Sequence, residues 1–149
     1  MKALQPLLDE YAVSHQNHTN ILIHRICVPL IFWSITGFLL LVTLPVVGNL
    51  AIPALLLLTI YYFILSKTLW IGMLIFSSIC LVVSYSVFIQ FFNDAVWIFL
   101  IVFICAWIGQ FAGHKIEGKK PSFLKDLQFL LIGPAWLMAK IYRSLRIPI

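Results

Sequence analysis

Four long apolar runs constrain the fold of this chain more than any other feature of its sequence. They cover residues 26–47, 50–65, 69–92 and about 95–112. A helix needs about 20 apolar residues to cross the roughly 30 Å hydrocarbon layer of a bilayer. Because lipid offers no partner for free backbone groups, only helices can make these crossings. The runs therefore predict an all-α integral membrane protein with four transmembrane helices.

The composition agrees with a membrane protein and excludes an ordinary soluble domain. Hydrophobic residues make up 62% of the chain, and charged residues only 10%. A soluble domain of 149 residues could not cover this much apolar surface in one core. No linker, low-complexity tract or internal repeat divides the sequence, so we expect one membrane domain over residues 1–149. The second run is short and would cross with snorkelling ends or local thinning of the bilayer.

All ten Lys and Arg residues fall on one side of this four-span topology. The opposite side receives only the connections Gly48-Asn49 and Asn93-Asp94, which carry no positive charge. By the positive-inside rule the basic side is cytoplasmic, and both termini lie there. The net charge of +5 then reports orientation, so no nucleic-acid partner is expected. The compact chain has no retention signal, which favours a bacterial inner membrane over the endoplasmic reticulum.

The C-terminal segment 122–145 is predicted to be interfacial or re-entrant and not to span the membrane. The part without charged or amide side chains, 129–139, covers only about 16 Å as a helix. Gly133-Pro134 interrupts this part, and a crossing would carry the C-terminal arginines to the wrong side. We therefore expect short interfacial helices on the cytoplasmic face, both here and before the first apolar run.

The four histidines lie near one membrane face in this topology. His15, His18 and His24 precede the first run, and His114 follows the fourth. His24 and His114 should therefore meet at a similar depth. Neutral imidazole is the commonest protein ligand for zinc, iron, copper and nickel. From spacing alone, a shared metal site and histidines that only bond to headgroups and backbone are equally open.

Spacing adds detail to both interpretations. His15 and His18 are three residues apart, which would place them on one helical face. His24 is too far along the chain for the same turn, so it needs a fold in the chain or serves a different site. Glu117 follows His114 by three residues and is either a carboxylate ligand or the partner of a nearby lysine.

Three of the side-chain amides near the histidines are further candidates. Asn17 and Asn20 are either helix caps and turn formers, or groups that orient an imidazole or a substrate. Gln110 stands one turn before the last histidine, where a buried amide must find a partner. Gly109 and Gly113 have the small-residue spacing of closely packed helices.

These residues make the sequence resemble the membrane 2-hydroxy fatty acid dioxygenase family of fungi and its bacterial relatives. The stretches "YAVSHQNHTNILIHRICVP" and "WIGQFAGHKIEGKKPSF" are similar to the two signature blocks of that family. The first block corresponds here to Tyr11, His15, Asn17, Asn20, His24, Val28 and Pro29. The second corresponds to Gln110, Phe111, Gly113, His114, Glu117, Lys119, Lys120 and Pro121. The membrane architecture agrees over the whole chain.

The resemblance implies an iron(II)-dependent dioxygenase that carries out α-oxidation in membrane lipid. A 2-hydroxy fatty acid and dioxygen would give the acid one carbon shorter, with carbon dioxide and water. The implied metal ligands are His15, His24 and His114, with His18 as the weakest candidate. Catalytic or supporting roles would fall to Asn20, Asn17, Gln110 and Glu117. Steering of the substrate carboxylate would fall to Arg25, Lys119 and Lys120.

The chain departs from the family pattern in two places. His18 stands where the pattern usually has proline, and the spacing from His114 to Glu117 is one residue shorter, which leaves the role of Glu117 open. Two other functions fit the same residues: a zinc-dependent lipid hydrolase, and a non-catalytic membrane scaffold or headgroup-binding protein. The sequence leaves a homo-oligomer open.

Overall fold

A computed structural model describes residues 4–46, 48–118 and 129–149 of the chain. These ranges are helical apart from turns and one small antiparallel hairpin, in which β1 (Thr43–Leu44) pairs with β2 (Gly48–Asn49). The helices are α1 (Leu4–Val13), α2 (His18–Leu41), α3 (Ala51–Leu65), α4 (Leu69–Gln90), α5 (Ala95–Ile116) and α6 (Ile132–Ser144). The prediction of an all-α fold is confirmed for the described residues, although the hairpin was not expected.

Three of these helices, α2, α4 and α5, are long and apolar enough to cross a membrane. Their outer surfaces are rich in exposed apolar side chains, for example Ile75, Ile79 and Ile101. Such surfaces are unfavourable in water and normal in lipid. Helix α3 is apolar but has 15 residues, which corresponds to a length of about 22 Å. It is therefore shorter than the roughly 30 Å that a crossing needs without adjustment of the bilayer.

The first helix of the bundle is displaced relative to its apolar run. The run was predicted to span residues 26–47, whereas α2 extends over His18–Leu41. Hydropathy marks the part of a helix that suits hydrocarbon, but the helix itself begins at its cap, which is Asn17. At the other end, Pro45 disfavours helical backbone at the residue before it, and the chain enters the hairpin instead.

Helix α2 is the centre of the bundle, because it packs against α3, α4, α5 and α6. Its contact with α5 is the most extensive and depends on glycines. A Cβ atom on Gly37 would lie 2.5 Å from the Phe99 ring, and one on Gly109 would lie 2.5 Å from the Cys27 sulfur. The two helices are antiparallel, so the beginning of α2 lies beside the end of α5.

Helices α1 and α6 cover this end of the bundle. They enclose a core with the end of α3 and the start of α4, formed by Leu4, Leu8, Tyr11, Tyr62, Leu65, Leu69, Met73, Ile132, Ala135, Trp136 and Ala139. The Tyr62 hydroxyl donates to the Leu131 carbonyl at 2.6 Å. The backbone N–H of Gly72 donates to the Tyr142 hydroxyl at 3.0 Å. The two terminal helices therefore lie at the same end of the molecule.

Gly133-Pro134 does not interrupt the C-terminal helix as the sequence had suggested. Helix α6 begins at Ile132, so both residues stand in its first turn. Backbone N–H groups in a first turn have no partner within the helix, and proline is therefore tolerated there. Residues 122–128 of the predicted interfacial segment lie outside the described residues.

Candidate metal centre

Three of the four histidines meet at the covered end of the bundle. His15 comes from the turn between α1 and α2, His24 from the second turn of α2, and His114 from the last turn of α5. All three are buried, with exposed fractions of 5%, 1% and 7%. One potential ligand atom from each lies within 4.8 Å of the others. The ring centroids of His24 and His114, which were predicted to meet, are 4.9 Å apart.

A break between two helices brings His15 to this cluster. Helix α1 ends at Val13, and α2 begins only after Asn17, whose side-chain oxygen accepts from the N–H of Thr19 at 2.9 Å. The two helices are separated by this turn, and the His15 ring within it lies 4.3 Å from the His24 ring. The expectation that His15 and His18 share a helical face was wrong, because they belong to different elements.

Backbone carbonyls hold two of the imidazoles in one tautomer. The Nδ1–H of His15 donates to the Tyr11 carbonyl at 2.7 Å, and that of His24 donates to the Asn20 carbonyl at 3.0 Å. In this tautomer the Nε2 atom of each ring carries the lone pair with which an imidazole can bind a metal. A hydrogen bond from the other ring nitrogen to a carbonyl is the usual support of a metal-binding histidine. The Tyr11 ring also stacks on His15 at 4.0 Å and limits its rotation.

The donor set and its spacing fit a single transition-metal ion. Nitrogen ligands bind such ions at about 2.1 Å, so two nitrogens on one ion are at most about 4.2 Å apart. The observed upper limit of 4.8 Å requires only a small inward movement of the rings. Neutral imidazole suits zinc, iron, copper and nickel, so this set of ligands leaves the identity of the metal open.

Glu117 ties together the elements that carry the histidines. Its two carboxylate oxygens accept hydrogen bonds from the backbone N–H of Gln16, the backbone N–H of Asn17 and the side-chain amide of Asn20, each at 2.9 Å. Partial burial acts to raise the pKa of Glu117, but these hydrogen bonds outweigh burial and hold the pKa below its usual value. The carboxylate therefore acts as a clamp between the end of α5 and the start of α2, and it is not part of the histidine cluster.

Asn20 and Gly113 form the contact beneath the cluster. The Asn20 side chain donates to Glu117 and to the Ser14 carbonyl, while its backbone carbonyl orients His24. A Cβ atom on Gly113 would collide with the Asn20 side-chain oxygen and would lie 3.2 Å from Cε1 of His24. Only glycine lets α5 approach α2 this closely at the site.

The three imidazoles line a small cavity of about 20 Å³. This volume is enough for one water-sized group, and hence for an ion or a small molecule. The other lining residues are Tyr11, Val28, Ile31, Trp107, Gln110, Phe129 and Leu130. The Gln110 side-chain oxygen is buried and has no hydrogen-bond partner among residues 4–46, 48–118 and 129–149. A buried acceptor of this kind is costly unless a ligand supplies its donor.

The other predicted site residues lie elsewhere. His18 is exposed at the start of α2 and is outside the cluster, and Asn17 caps that helix. Arg25 follows His24 but faces a different groove, between α2 and α6. Lys119 and Lys120 lie outside the described residues.

Sequence spacing alone did not draw attention to two aromatic residues of the site. Tyr11 stands four residues before His15, the separation at which a backbone carbonyl reaches the next turn. Trp107 stands seven residues before His114, which is two helical turns and therefore the same face of α5. Both spacings are present in the sequence, but the Tyr11–His15 spacing indicates a contact only once the end of α1 at Val13 is known.

Comparison with known proteins gives one match. Residues 1–145 match the model of a family described as Mpo1-like, 2-hydroxy-palmitic acid dioxygenase Mpo1-like. No curated protein matches the chain, and no solved structure matches it either. The match covers all of the helices and all three clustered histidines.

Proposed function

This chain belongs to the Mpo1-like family, and we propose that it is a membrane-embedded, iron(II)-dependent dioxygenase of 2-hydroxy fatty acids. The observation that carries the proposal is the meeting of three buried imidazoles beside an apolar groove, two from near the start of the chain and one from at least 90 residues later. In the reaction, R–CH(OH)–COOH and O₂ give R–COOH, CO₂ and H₂O. The bond between C1 and C2 breaks, and dioxygen is reduced.

His15 and His24 would hold the metal through Nε2, the nitrogen that does not bond to the backbone, and His114 would supply one further ring nitrogen. Iron(II), when bound, supplies electrons for the activation of dioxygen and positions to which the carboxylate and hydroxyl of the substrate can bind. Burial of the three rings excludes bulk water from this chemistry. The set differs from the two-histidine, one-carboxylate arrangement of soluble iron oxygenases, because the nearby carboxylate of Glu117 serves the clamp.

Gln110 is the residue best placed to recognise the polar end of the substrate. Its buried side-chain oxygen faces the same cavity as the histidines and can accept a hydrogen bond from the 2-hydroxyl group. Lys119 and Lys120 follow the helix that carries His114, and their attraction for the substrate carboxylate remains part of the proposal.

The acyl chain is proposed to lie in a groove between α2 and α5. This groove has a volume of about 400 Å³ and is lined by Ile35, Phe103, Ile104, Trp107, Ile108, Phe111 and Leu130. Trp107 and Leu130 also line the histidine cavity, so the two spaces adjoin. The volume falls in the range of about 300–1,000 Å³ that is usual for ligand sites. A lipid substrate could therefore keep its chain in apolar surroundings while its polar end reaches the metal.

Filling the far end of this groove should change the preference for chain length. Ile104→Trp places a larger side chain in the groove about 15 Å along α5 from His114, so 2-hydroxypalmitate should lose kcat/KM relative to 2-hydroxydecanoate by about tenfold or more. Ile101→Trp is the matched control, because Ile101 is similarly exposed on α5 but does not line the groove. An equal change of the ratio in both variants would place the chain elsewhere.

The membrane topology belongs to the same proposal. Three helices can span by length and composition, and α3 would make the fourth crossing with local thinning of the bilayer. The six described basic residues and both terminal helices would then face the cytoplasm, in a bacterial inner membrane. Labelling of single cysteines placed in the 43–49 hairpin and at residue 146 tests this orientation, and the two positions should react from opposite sides.

The proposed activity is tested by loading the purified protein with iron(II) without oxygen and then adding air and 2-hydroxypalmitate. We expect equal amounts of dioxygen consumed, carbon dioxide released and pentadecanoic acid formed. Protein loaded with zinc, and palmitate without its hydroxyl group, should give none of these products. Formation of these products by an iron-free preparation would contradict the dependence on iron(II), whereas hydrolysis of a lipid ester by the zinc-loaded protein would favour a zinc-dependent lipid hydrolase.

A further inference from the structure

A second groove lies against a different face of α2 from the histidine cavity. It is open to the surroundings, has a volume of about 460 Å³ and runs between α2, α4 and α6. Its apolar wall consists of Pro29, Phe76, Pro134, Leu137, Met138 and Ile141. Its polar part consists of Arg25, Lys140 and Ser144. This groove and the histidine cavity share no lining residue.

The polar part of this groove is positively charged, and no described carboxylate lines it. Arg25 from α2 and Lys140 from α6 line it together, and Arg143 follows Lys140 by three residues. Within residues 4–46, 48–118 and 129–149, neither Arg25 nor Lys140 forms an ion pair, and no Asp or Glu lines the groove. Burial and the positive charges of Arg25 and Arg143 lower the pKa of Lys140.

Lys140 and Arg143 are held in place despite this repulsion. The Lys140 ammonium lies 3.5 Å from the centre of the Trp136 ring. Trp136 is itself buried in the core that α1, α3, α4 and α6 enclose. The Arg143 guanidinium donates to the Gln5 side chain at 3.3 Å. Like charges that are fixed close together favour an anion between them, because the anion removes their mutual repulsion.

We infer that this groove binds an anionic phospholipid, with its phosphodiester at Arg25 and Lys140 and an acyl chain along the apolar wall. The guanidinium fork suits two phosphate oxygens, and the Ser144 hydroxyl adds a donor. The groove lies at the end of the bundle where the basic residues collect, which the positive-inside rule assigns to the cytoplasmic leaflet. Basic pockets between helices on that side are typical sites for anionic headgroups. Charge and shape therefore indicate a structural lipid, separate from the substrate.

The inference is tested by lipid binding to the purified full chain in neutral detergent. Phosphatidylglycerol should raise the melting temperature and remain bound in native mass spectrometry, and phosphatidylcholine should do neither. Arg25→Gln with Lys140→Gln should weaken phosphatidylglycerol binding by about 10- to 30-fold, because each cation near a lipid surface contributes about fivefold or less. Lys67→Gln with Arg146→Gln removes the same charge outside the groove and should leave binding unchanged.

A second variant tests the apolar wall without touching the cations. Ile141→Trp fills the groove at an exposed position, so it should weaken phosphatidylglycerol binding while the protein folds normally. Soluble glycerol phosphate should not stabilise the wild type, since it has no acyl chain. Equal weakening in the two double variants, or equal binding of both lipids, would overturn the inference. Displacement of phosphatidylglycerol by 2-hydroxypalmitate at stoichiometric amounts would also overturn it, because the groove would then take the substrate.

Discussion

Replacement of His24 by alanine should abolish oxygen consumption with 2-hydroxypalmitate and the retention of iron(II). His24 is 1% exposed, and its ring lies 4.3 Å from that of His15 and 4.9 Å from that of His114. Loss of a residue that only supports a metal ligand usually costs about 10- to 100-fold in affinity or activity. Loss of one ligand of three should cost more, so activity should fall to the background of the assay. His15→Ala and His114→Ala should behave in the same way.

The matched control for these variants is His18→Ala. His18 belongs to the same short segment but is exposed and outside the cluster, so its removal should leave both activity and iron content unchanged. Binding of cobalt(II), followed by its visible absorption, reports the metal site independently of turnover. Normal activity in His24→Ala and His114→Ala together would contradict the proposed function and would favour a non-catalytic scaffold or headgroup-binding protein.

Replacement of Gly113 by alanine should damage the same site without removing any ligand. The new methyl group would collide with the Asn20 side chain and press on the His24 ring. Asn20 cannot yield freely, because its amide is bonded to Glu117 at 2.9 Å and to Ser14 at 3.3 Å. Overpacking of this kind typically costs about 1–3 kcal/mol. We expect a lower melting temperature and a loss of iron(II) affinity of about 10- to 100-fold.

Gly72→Ala separates loss of stability from loss of the site. A Cβ atom on Gly72 would lie 2.8 Å from the Met138 sulfur and 2.9 Å from the Tyr142 hydroxyl, so it would displace the hydroxyl that accepts a hydrogen bond from the Gly72 N–H. The contact lies between α4 and α6, and neither partner lines the histidine cavity. Its melting temperature should fall, but its iron(II) affinity should not. Equal loss of iron(II) affinity in both variants would mean that Gly113 acts only through global stability.

The helices could be predicted from the sequence because apolar runs are a local signal. Runs 50–65 and 69–92 agree with α3 and α4 within about two residues. The ends of α2 could not be predicted in the same way, since one depends on the cap at Asn17 and the other on the hairpin after Leu41. Hydropathy indicates whether a segment prefers hydrocarbon or water, whereas helix ends depend on hydrogen bonds and turn-forming residues.

Part of the candidate site could also be predicted. Antiparallel neighbours bring the start of one span beside the end of another, so topology alone predicted that His24 and His114 would meet. The place of His15 in the cluster was not predictable from spacing, because it requires a helix break after Val13 and a turn that brings its ring to His24. The role of Glu117 as a clamp was equally hidden, because its backbone partners Gln16 and Asn17 lie about a hundred residues away in the chain.

The sequence by itself determined the apolar helices, the gathering of basic residues at one end and the placement of all histidines near that end. These properties depend on composition and order along the chain, and each residue contributes to them independently. Only the tertiary structure decided which side chains converge, since it sets the break before α2 and the close approach of α5 at Gly113. It also turned Arg25 away from His24 into a separate groove. Adjacent residues on a helix point about 100° apart, so neighbours in sequence can serve different sites.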